Sequence, residues 1–513
     1  MPLDPPDRAA LAAAAERYGL GLSEADLDSF SPFVHGLLAS WEVVEQLYQE
    51  SAPAAPERAW QRPDDADNPY GAWYVTTEIT EGGEGPLAGR TVAIKDNTAV
   101  AGVPMMNGSA YLEGYVPLRD ATVVSRLLAA GATIAGKAVC EDLCFSGGSH
   151  TSRPAPVRNP WDETRSAGGS SSGSAALVAG GVVDLATGGD QGGSVRIPAA
   201  YSGIVGHKPT FGLVPYTGAF PIEQTIDHIG PMTRTVADAA LMLSVLAGPD
   251  GLDPRQPRDL VPDDYVGALA RGAEGMRVGV VREGFGHPNS EAEVDDAVRA
   301  GVDVLRGAGL TAEEVSIPWH AHGARIWDVI ATEGAMNQMV DGNGYGMNWD
   351  GRYDPEVVEH YGRRWRADGS RFSETVKFVL LAGRYAVDRQ HGRHYAMARN
   401  LVPRLRAAYD EALARYDVLV MPTLPLRATQ LPGPDAPREE VIPRALEMIA
   451  NTCVTDVTGH PACSVPAGVA GGLPVGMMII GKHFADADVL RVAHTFEQAV
   501  GGFPTPRQAT THA

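Results

Sequence analysis

Cysteine is scarce in this chain: Cys140, Cys144, Cys453 and Cys463 are the four among 513 residues. So thin a supply excludes a disulfide-held scaffold and fits a reducing cytoplasm. Long apolar runs are missing as well. No stretch of eighteen apolar residues occurs, so no segment reads as a membrane span. The opening MPLDPPDRAALAAAAERYGL lacks the charged-then-apolar order of a secretory signal, and none is expected. Positive charge is in deficit, with 42 Lys and Arg against 63 Asp and Glu and a formal net charge of −21. That sign argues against a nucleic-acid partner, and no basic block offsets it. What remains, 44% hydrophobic and 20% charged residues, is the make-up of a soluble globular protein of two to four structural units.

Residues 1–85 read as a helical arm. RAALAAAAERYG and SEADLDSFSPFVHGLLASWEVVEQLYQE carry apolar residues at helical spacing, and Ser23 with Asp26 resembles a capping pair. SAPAAPERAWQRPDDADNP then reads as a linker. Such an arm serves either for dimerisation or for packing on its own core. From Gly89 the texture alternates. RTVAIKDN, TIAGK, MRVGVV and YDVLVMPT read as short buried strands, and VVDLATGGDQGGS runs from strand into a glycine turn. DATVVSRLLAAGA, SGSAALVAGG and TRTVADAALMLSVLAG read as helices. The expected fold class is α/β. One domain over residues 86–505 holds a central mixed β-sheet covered by helices, its more variable part at 250–440 forms the pocket, and a tail occupies 506–513.

The chemistry gathers in GGDQGGSVRIPAAYSG, residues 188–203. Gly192 and Gly193 lead into Ser194, with Asp190 and Arg196 on either side and no histidine in the stretch. Glycine lets backbone N–H groups approach a reacting atom closely, and successive N–H groups form an anion-binding nest. That pattern points to an oxyanion hole around a nucleophile, and it lacks a base. A second cluster, SAGGSSSGSAALVAG at 166–180, has the spacing of a hydrolase nucleophile elbow centred on Ser171. The elbow demands a strand directly before it, whereas RNPWDETRSA is polar and contains a proline. Lys95 closes the apolar stretch VAIKDN, where desolvation disfavours the ammonium form. A lysine, a serine–glycine cluster and a serine turn together allow a Ser–Ser–Lys relay that needs no histidine.

Other signals carry less. GATIAGKA and GMMIIGKH approach the spacing of a nucleotide-binding loop but lack the hydroxyl residue that holds Mg²⁺. His320, His322, His391, His394 and His460 show no complete ligand set at metal-binding spacing, so neither metal nor cofactor is expected. Cys140 and Cys144, one helical turn apart, are expected to pack as small hydrophobes near the site.

GRTVAIKDNTAVAGVPMMNGS, GATIAGKAVCEDLCFSGG, RNPWDETRSAGGSSSGSAALVAGG, GGDQGGSVRIPAAYSGIVGHKPTFGLV, DHIGPMTRTVADAALMLSVLAG and TGHPACSVPAG follow in order between Gly89 and Gly481. In these segments the chain resembles the amidase signature family. The resemblance implies that Lys95 is the catalytic lysine, Ser170 a bridging serine in a cis peptide after Gly169, and Ser194 the nucleophile 24 positions on. It further implies an oxyanion hole from the N–H groups of Gln191, Gly192, Gly193 and Ser194. Asp190 and Arg196 would hold the turn, and Ser171 would support the relay. Gln191 stands where threonine is frequent and His207 where an apolar residue is frequent. With the arm and GLVPYTGAFPIEQTIDHIGPMTRTV, these departures are similar to a branch of broad-specificity and enantioselective amidases associated with nitrile hydratases, usually homodimers. Aliphatic, aromatic and arylalkyl carboxamides are the implied small-molecule substrates, with Phe145, Ile226, Trp327, Leu446 and Ile449 lining the acyl pocket. An apolar wall of this kind favours benzamide over acetamide. The alternatives are the same chemistry on carbamates or aryl acylamides, or an amidotransferase A-type subunit.

Overall fold

The computed structural model describes residues 4–344 and 350–506, so the expected tail lies, beyond residue 506, outside the described residues. Two compact units divide at Pro56/Glu57. In the first, Asp7 caps the helix Arg8–Arg17, and Ser23 and Asp26 form the expected capping box of the helix Glu24–Ser51. The second helix stops at Ser51, where the linker is expected to begin, and Pro53 follows closely. Residues 57–85 instead belong to the second unit, where they contribute strands.

That unit is built on a 12-stranded mixed sheet and a separate two-stranded one. In chain order the strands are β1 (Trp60–Gln61), β2 (Trp73–Thr80), β3 (Thr91–Lys95), β4 (Thr133–Ala138), β5 (Arg158–Asn159), β6 (Asp162–Ser166) and β7 (Leu185–Asp190). There follow β8 (Val205–Lys208), β9 (His228–Thr233), β10 (Arg277–Val281), β11 (Thr311–Val315), β12 (Val418–Pro422), β13 (Ala462–Ala470) and β14 (Leu473–Gly481). Along the large sheet they run β1-β2-β4-β3-β7-β9-β8-β13-β14-β12-β10-β11. Pairing is parallel at β4-β3-β7 and antiparallel from β7 through β9, β8, β13 and β14 to β12.

Side chains alternate across a strand with period two, and here both faces are apolar. Val418 and Val420 of β12 enter one core cluster, while Leu419 and Met421 enter the other. In β14, Met477 and Ile479 join the first cluster, and Met478 and Ile480 join the second. Helices Val236–Leu246, Ala292–Gly307 and Asp486–Val500 supply the first layer, and His320–Ala335, Arg393–Leu413 and Thr452–Thr458 the second. The result is a sheet between two helical layers.

Three strands escaped the hydrophobic pattern. β11, TAEEV, is a mostly exposed edge strand. RNPWDETRSA holds β5 and β6, paired antiparallel, which corrects the expectation that no strand precedes Ser171. Backbone pairing makes this ribbon, and further backbone bonds hold β6 against residues 429–431, the N–H of Ser166 donating to Thr429 O and that of Leu431 to Thr164 O. Among the described residues, no helix is long and apolar enough to cross a membrane.

Candidate active site

Because β3 and β7 are parallel neighbours, with Val92 beside Leu185 and Ala93 beside Ala186, their carboxyl ends lie together. Lys95 ends β3 and Asp190 ends β7, so the lysine and the serine turn emerge at one edge. Lys95 Nζ donates to Ser170 Oγ at 2.9 Å and to Gly189 O at 3.1 Å. The Gly169–Ser170 peptide is cis. Ser171 N–H donates to Ser194 O at 3.3 Å, which ties the serine cluster to the turn. Lys95 and Ser170 are fully buried, whereas Ser194 keeps 8% exposure and lines a pocket.

The elbow reading of Ser171 fails on contacts, although a strand does stand before it. Its Oγ is buried, donates to Gly189 O and accepts from Gly189 N–H, both at 3.2 Å. It is absent from the pocket wall that holds Ser194.

Asp190 and Arg196 shape the turn. The Asp190 carboxylate accepts from the N–H groups of Gly193 at 2.6 Å and Val195 at 3.0 Å. It also accepts from Arg196 Nε and Nη2, both at 2.9 Å. Arg196 reaches on to the Asp456 carboxylate at 2.9 Å, Thr452 O at 2.9 Å and Thr455 Oγ1 at 2.6 Å. Burial works to raise the Asp190 carboxyl, but the charge and hydrogen bonds of Arg196 outweigh it and hold Asp190 well below the usual carboxylate range. Burial and the neighbouring Asp190 push the Asp456 carboxyl the other way, upward.

The carbonyls of the turn are also held. Trp327 Nε1 donates to Gln191 O at 2.6 Å and Thr452 Oγ1 to Gly192 O at 2.7 Å. Gly193 has φ +131°, and a Cβ there would lie 2.3 Å from Thr452 Oγ1, so glycine is needed on both counts. One expectation needs correcting. The Gly193 N–H is committed to Asp190 and does not belong to the oxyanion donors. Among the described residues, the N–H groups of Gln191, Gly192 and Ser194 have no protein acceptor.

Phe145, Ile226, Trp327, Leu446 and Ile449, the five residues expected at the acyl pocket, share the wall of one pocket with Ser194. The pocket encloses about 380 Å³ of empty space, its mouth included. Phe145 and Trp327 stack with ring centroids 6.3 Å apart. Ile197, Ile222 and Ala331 complete the apolar wall, and nothing local in their sequence marks them out.

Cys144 is closer to the chemistry than its expected packing role suggests. It lines the pocket, and its thiol accompanies Cys140 in a hydrogen bond to Asn107 Oδ1. Burial pushes the Cys144 thiol up, but the hydrogen bond from Cys140, the charge of Lys95 and bonds with Ser170 and Lys95 bring it down to about 7. The two cysteines do not share an α-helical turn. Residues Asp142–Cys144 form a 3₁₀ turn, with positive φ at Leu143 and Cys144.

Known proteins resemble this chain along most of its length. The Amidase family model matches residues 42–490. An enantioselective amidase from Rhodococcus rhodochrous is 59% identical over 99% of this chain and 98% of its own length. The native peptide amidase from Stenotrophomonas maltophilia superposes with a TM-score of 0.67 at 29% identity, covering 82% of this chain and 85% of that one. A bacterial aryl acylamidase of the amidase signature family superposes with a TM-score of 0.68 at 27% identity, over 81% and 83% of the two chains.

Proposed function

The chain belongs to the amidase signature family and is an amide hydrolase, and from that premise we propose a Ser194–Ser170–Lys95 relay acting on carboxamides of apolar acids. The carrying observation is the buried 2.9 Å hydrogen bond from Lys95 to Ser170 beside the pocket that Ser194 lines. Among the described residues Lys95 has no carboxylate partner, and its Nζ is the group placed to take the proton of Ser170. Ser194 Oγ attacks the amide carbon while its proton passes to Ser170 and the proton of Ser170 to Lys95. The oxyanion accepts from the N–H groups of Gln191, Gly192 and Ser194, each such donor being worth roughly 2.7–4 kcal/mol. The relayed proton then leaves with ammonia as the C–N bond breaks. Water attacks the acyl-serine by the same route, releasing carboxylate and restoring Ser194.

Phe145, Trp327 and the isoleucines around them suit aryl and arylalkyl acyl groups, and a walled pocket of this kind discriminates between mirror-image α-carbons. A place after nitrile hydration, and residence in the cytoplasm, belong to the same reading. They rest on the family resemblance and on four buried free cysteines.

The experiment is fluorophosphonate labelling with mass-spectrometric mapping, using benzamide as competitor. An adduct on Ser194 that benzamide suppresses is expected. An adduct on Ser171, or one on Ser194 that benzamide leaves untouched, would overturn the nucleophile or the substrate class respectively.

The arm fits a homodimer. On the helix Glu24–Ser51, Phe30, Phe33, Leu37, Trp41 and Val44 are all exposed, and their spacing places them on one face. Wild type is expected to sediment as a dimer. Trp41→Glu should weaken it about 30-fold or more, the effect of losing one ~2 kcal/mol hot spot. A wild type that sediments as a monomer would sink this assignment.

A further inference from the structure

We propose that Asp410, His460 and His483 form a site for a divalent transition-metal ion of the Zn²⁺ or Co²⁺ type, separate from the hydrolytic centre. The three residues are far apart in sequence, which is why histidine spacing gave no ligand set. The fold brings them together. β13 and β14 pair antiparallel, and the N–H of Gly481 donates to Pro461 O at 3.0 Å, so His460 just before β13 meets His483 just after β14. Their ring centroids are 4.1 Å apart. Asp410, near the end of the helix Arg393–Leu413, faces both.

One ligand atom from each residue lies within 4.8 Å of the others. His460 Nε2 is 3.0 Å and His483 Nδ1 4.0 Å from Asp410 Oδ1. A tetrahedral ion with bonds of about 2.0–2.1 Å sets its ligand atoms about 3.4 Å apart, between those two separations.

The second nitrogens make the stronger argument. His483 Nε2 sits 2.9 Å from the carbonyl oxygen of Thr458, so in a neutral ring it carries the proton and leaves the Nδ1 lone pair aimed at Asp410. His483 Nδ1 thus faces Asp410 Oδ1 across 4.0 Å, too far for a hydrogen bond, while His460 Nε2 shares a hydrogen bond with the same oxygen at 3.0 Å, so a bound cation would take the place of that proton and engage both rings. His460 Nδ1 is held 2.9 Å from Thr458 Oγ1. A single residue therefore orients both rings, as outer-shell partners do around metal-bound histidines. Two imidazoles and a carboxylate suit borderline ions rather than Ca²⁺ or Mg²⁺. Asp410 is half exposed, which leaves a fourth position for water.

Two cations stand nearby and moderate the affinity. Arg406 Nε donates to Thr458 O at 2.8 Å and Lys208 Nζ to His460 O at 2.7 Å. Both bind backbone carbonyls rather than the ligand atoms. Thr458 ends the helix whose first residue, Thr452, holds the Gly192 carbonyl. An ion here would clamp the far end of the helix that supports the serine turn.

The test uses the full chain, stripped with chelator and titrated with Co²⁺. Wild type is expected to bind one Co²⁺ per chain with visible d–d absorption that Zn²⁺ abolishes, and Zn²⁺ should raise its Tm. His483→Ala and Asp410→Asn should each weaken binding at least tenfold, and Thr458→Val by about 10–100-fold. Benzamide hydrolysis by the variants reports that they are folded. Failure of wild type to bind either ion, or equal binding by wild type and His483→Ala, would overturn the site.

Discussion

Ser194→Ala is expected to lower kcat/KM on benzamide by at least about 10⁴ while leaving the thermal midpoint unchanged. Removing the nucleophile of a serine hydrolase costs about as much as removing its whole catalytic group, roughly 10⁶ in kcat in the best-studied case. The residual rate comes from the oxyanion donors and binding. Those donors survive here, because Ser194→Ala keeps its own N–H and leaves Trp327, Thr452 and Asp190 holding the turn. Ser146 also lines the pocket, but its Oγ accepts from the N–H of Gly148 and has no lysine beside it among its hydrogen bonds. Fold is preserved because the backbone O of Ser194, not its hydroxyl, ties the turn to Ser171. Fluorophosphonate labelling should vanish in parallel. A variant that retained a tenth of the wild-type rate would remove Ser194 from the chemistry.

Arg196→Met is expected to destabilise the protein by about 3–5 kcal/mol, the cost of removing one partner from a buried ion pair. Arg196 is fully buried and bonds Asp190, Asp456, Thr452 and Thr455 at once. Its loss leaves the Asp190 carboxylate uncompensated inside the protein and frees the turn that carries Ser194. Arg196→Lys should recover only part of this, since a lysine cannot reproduce the planar fork of donors. The pH dependence has a definite sign. Asp190 titrates below its ordinary value in the fold, so the stability it adds is present above the usual aspartate range and is lost as pH falls through the lower, folded value. The gap between wild type and Arg196→Met is therefore widest near neutrality and narrows in acid. Urea unfolding followed by circular dichroism at several pH values measures it. Equal midpoints at pH 7 would show that the network adds nothing to stability.

Much of the site was legible because its signals are local. Lys95 at the end of an apolar strand, the glycines before Ser194 and the serine cluster at 170–172 all declare themselves within a few residues. The parallel pairing of β3 and β7 then brings two of these signals to one edge. The Gly193 N–H was misassigned for a physical reason. A glycine-rich turn announces that several N–H groups converge, but not which of them a neighbouring carboxylate claims. Cys144 was underestimated because its nearness to Lys95 depends on the 3₁₀ turn at Asp142–Cys144. The polar ribbon of β5 and β6 was missed because it is held by pairing rather than by hydrophobic alternation.

Sequence by itself determined the α/β class, the main buried strands, the capped arm helices and the glycine-led turn that carries Ser194. Each of these follows from side-chain period, capping chemistry or glycine's freedom, which act over one or two turns of chain. Tertiary structure alone decided where the arm ends, which N–H groups remain free for an oxyanion, and how Arg196 reaches residues 452–456. It also decided the meeting of Asp410, His460 and His483. Those outcomes depend on contacts between segments far apart in sequence, and only the order of strands in the sheet brings such segments together.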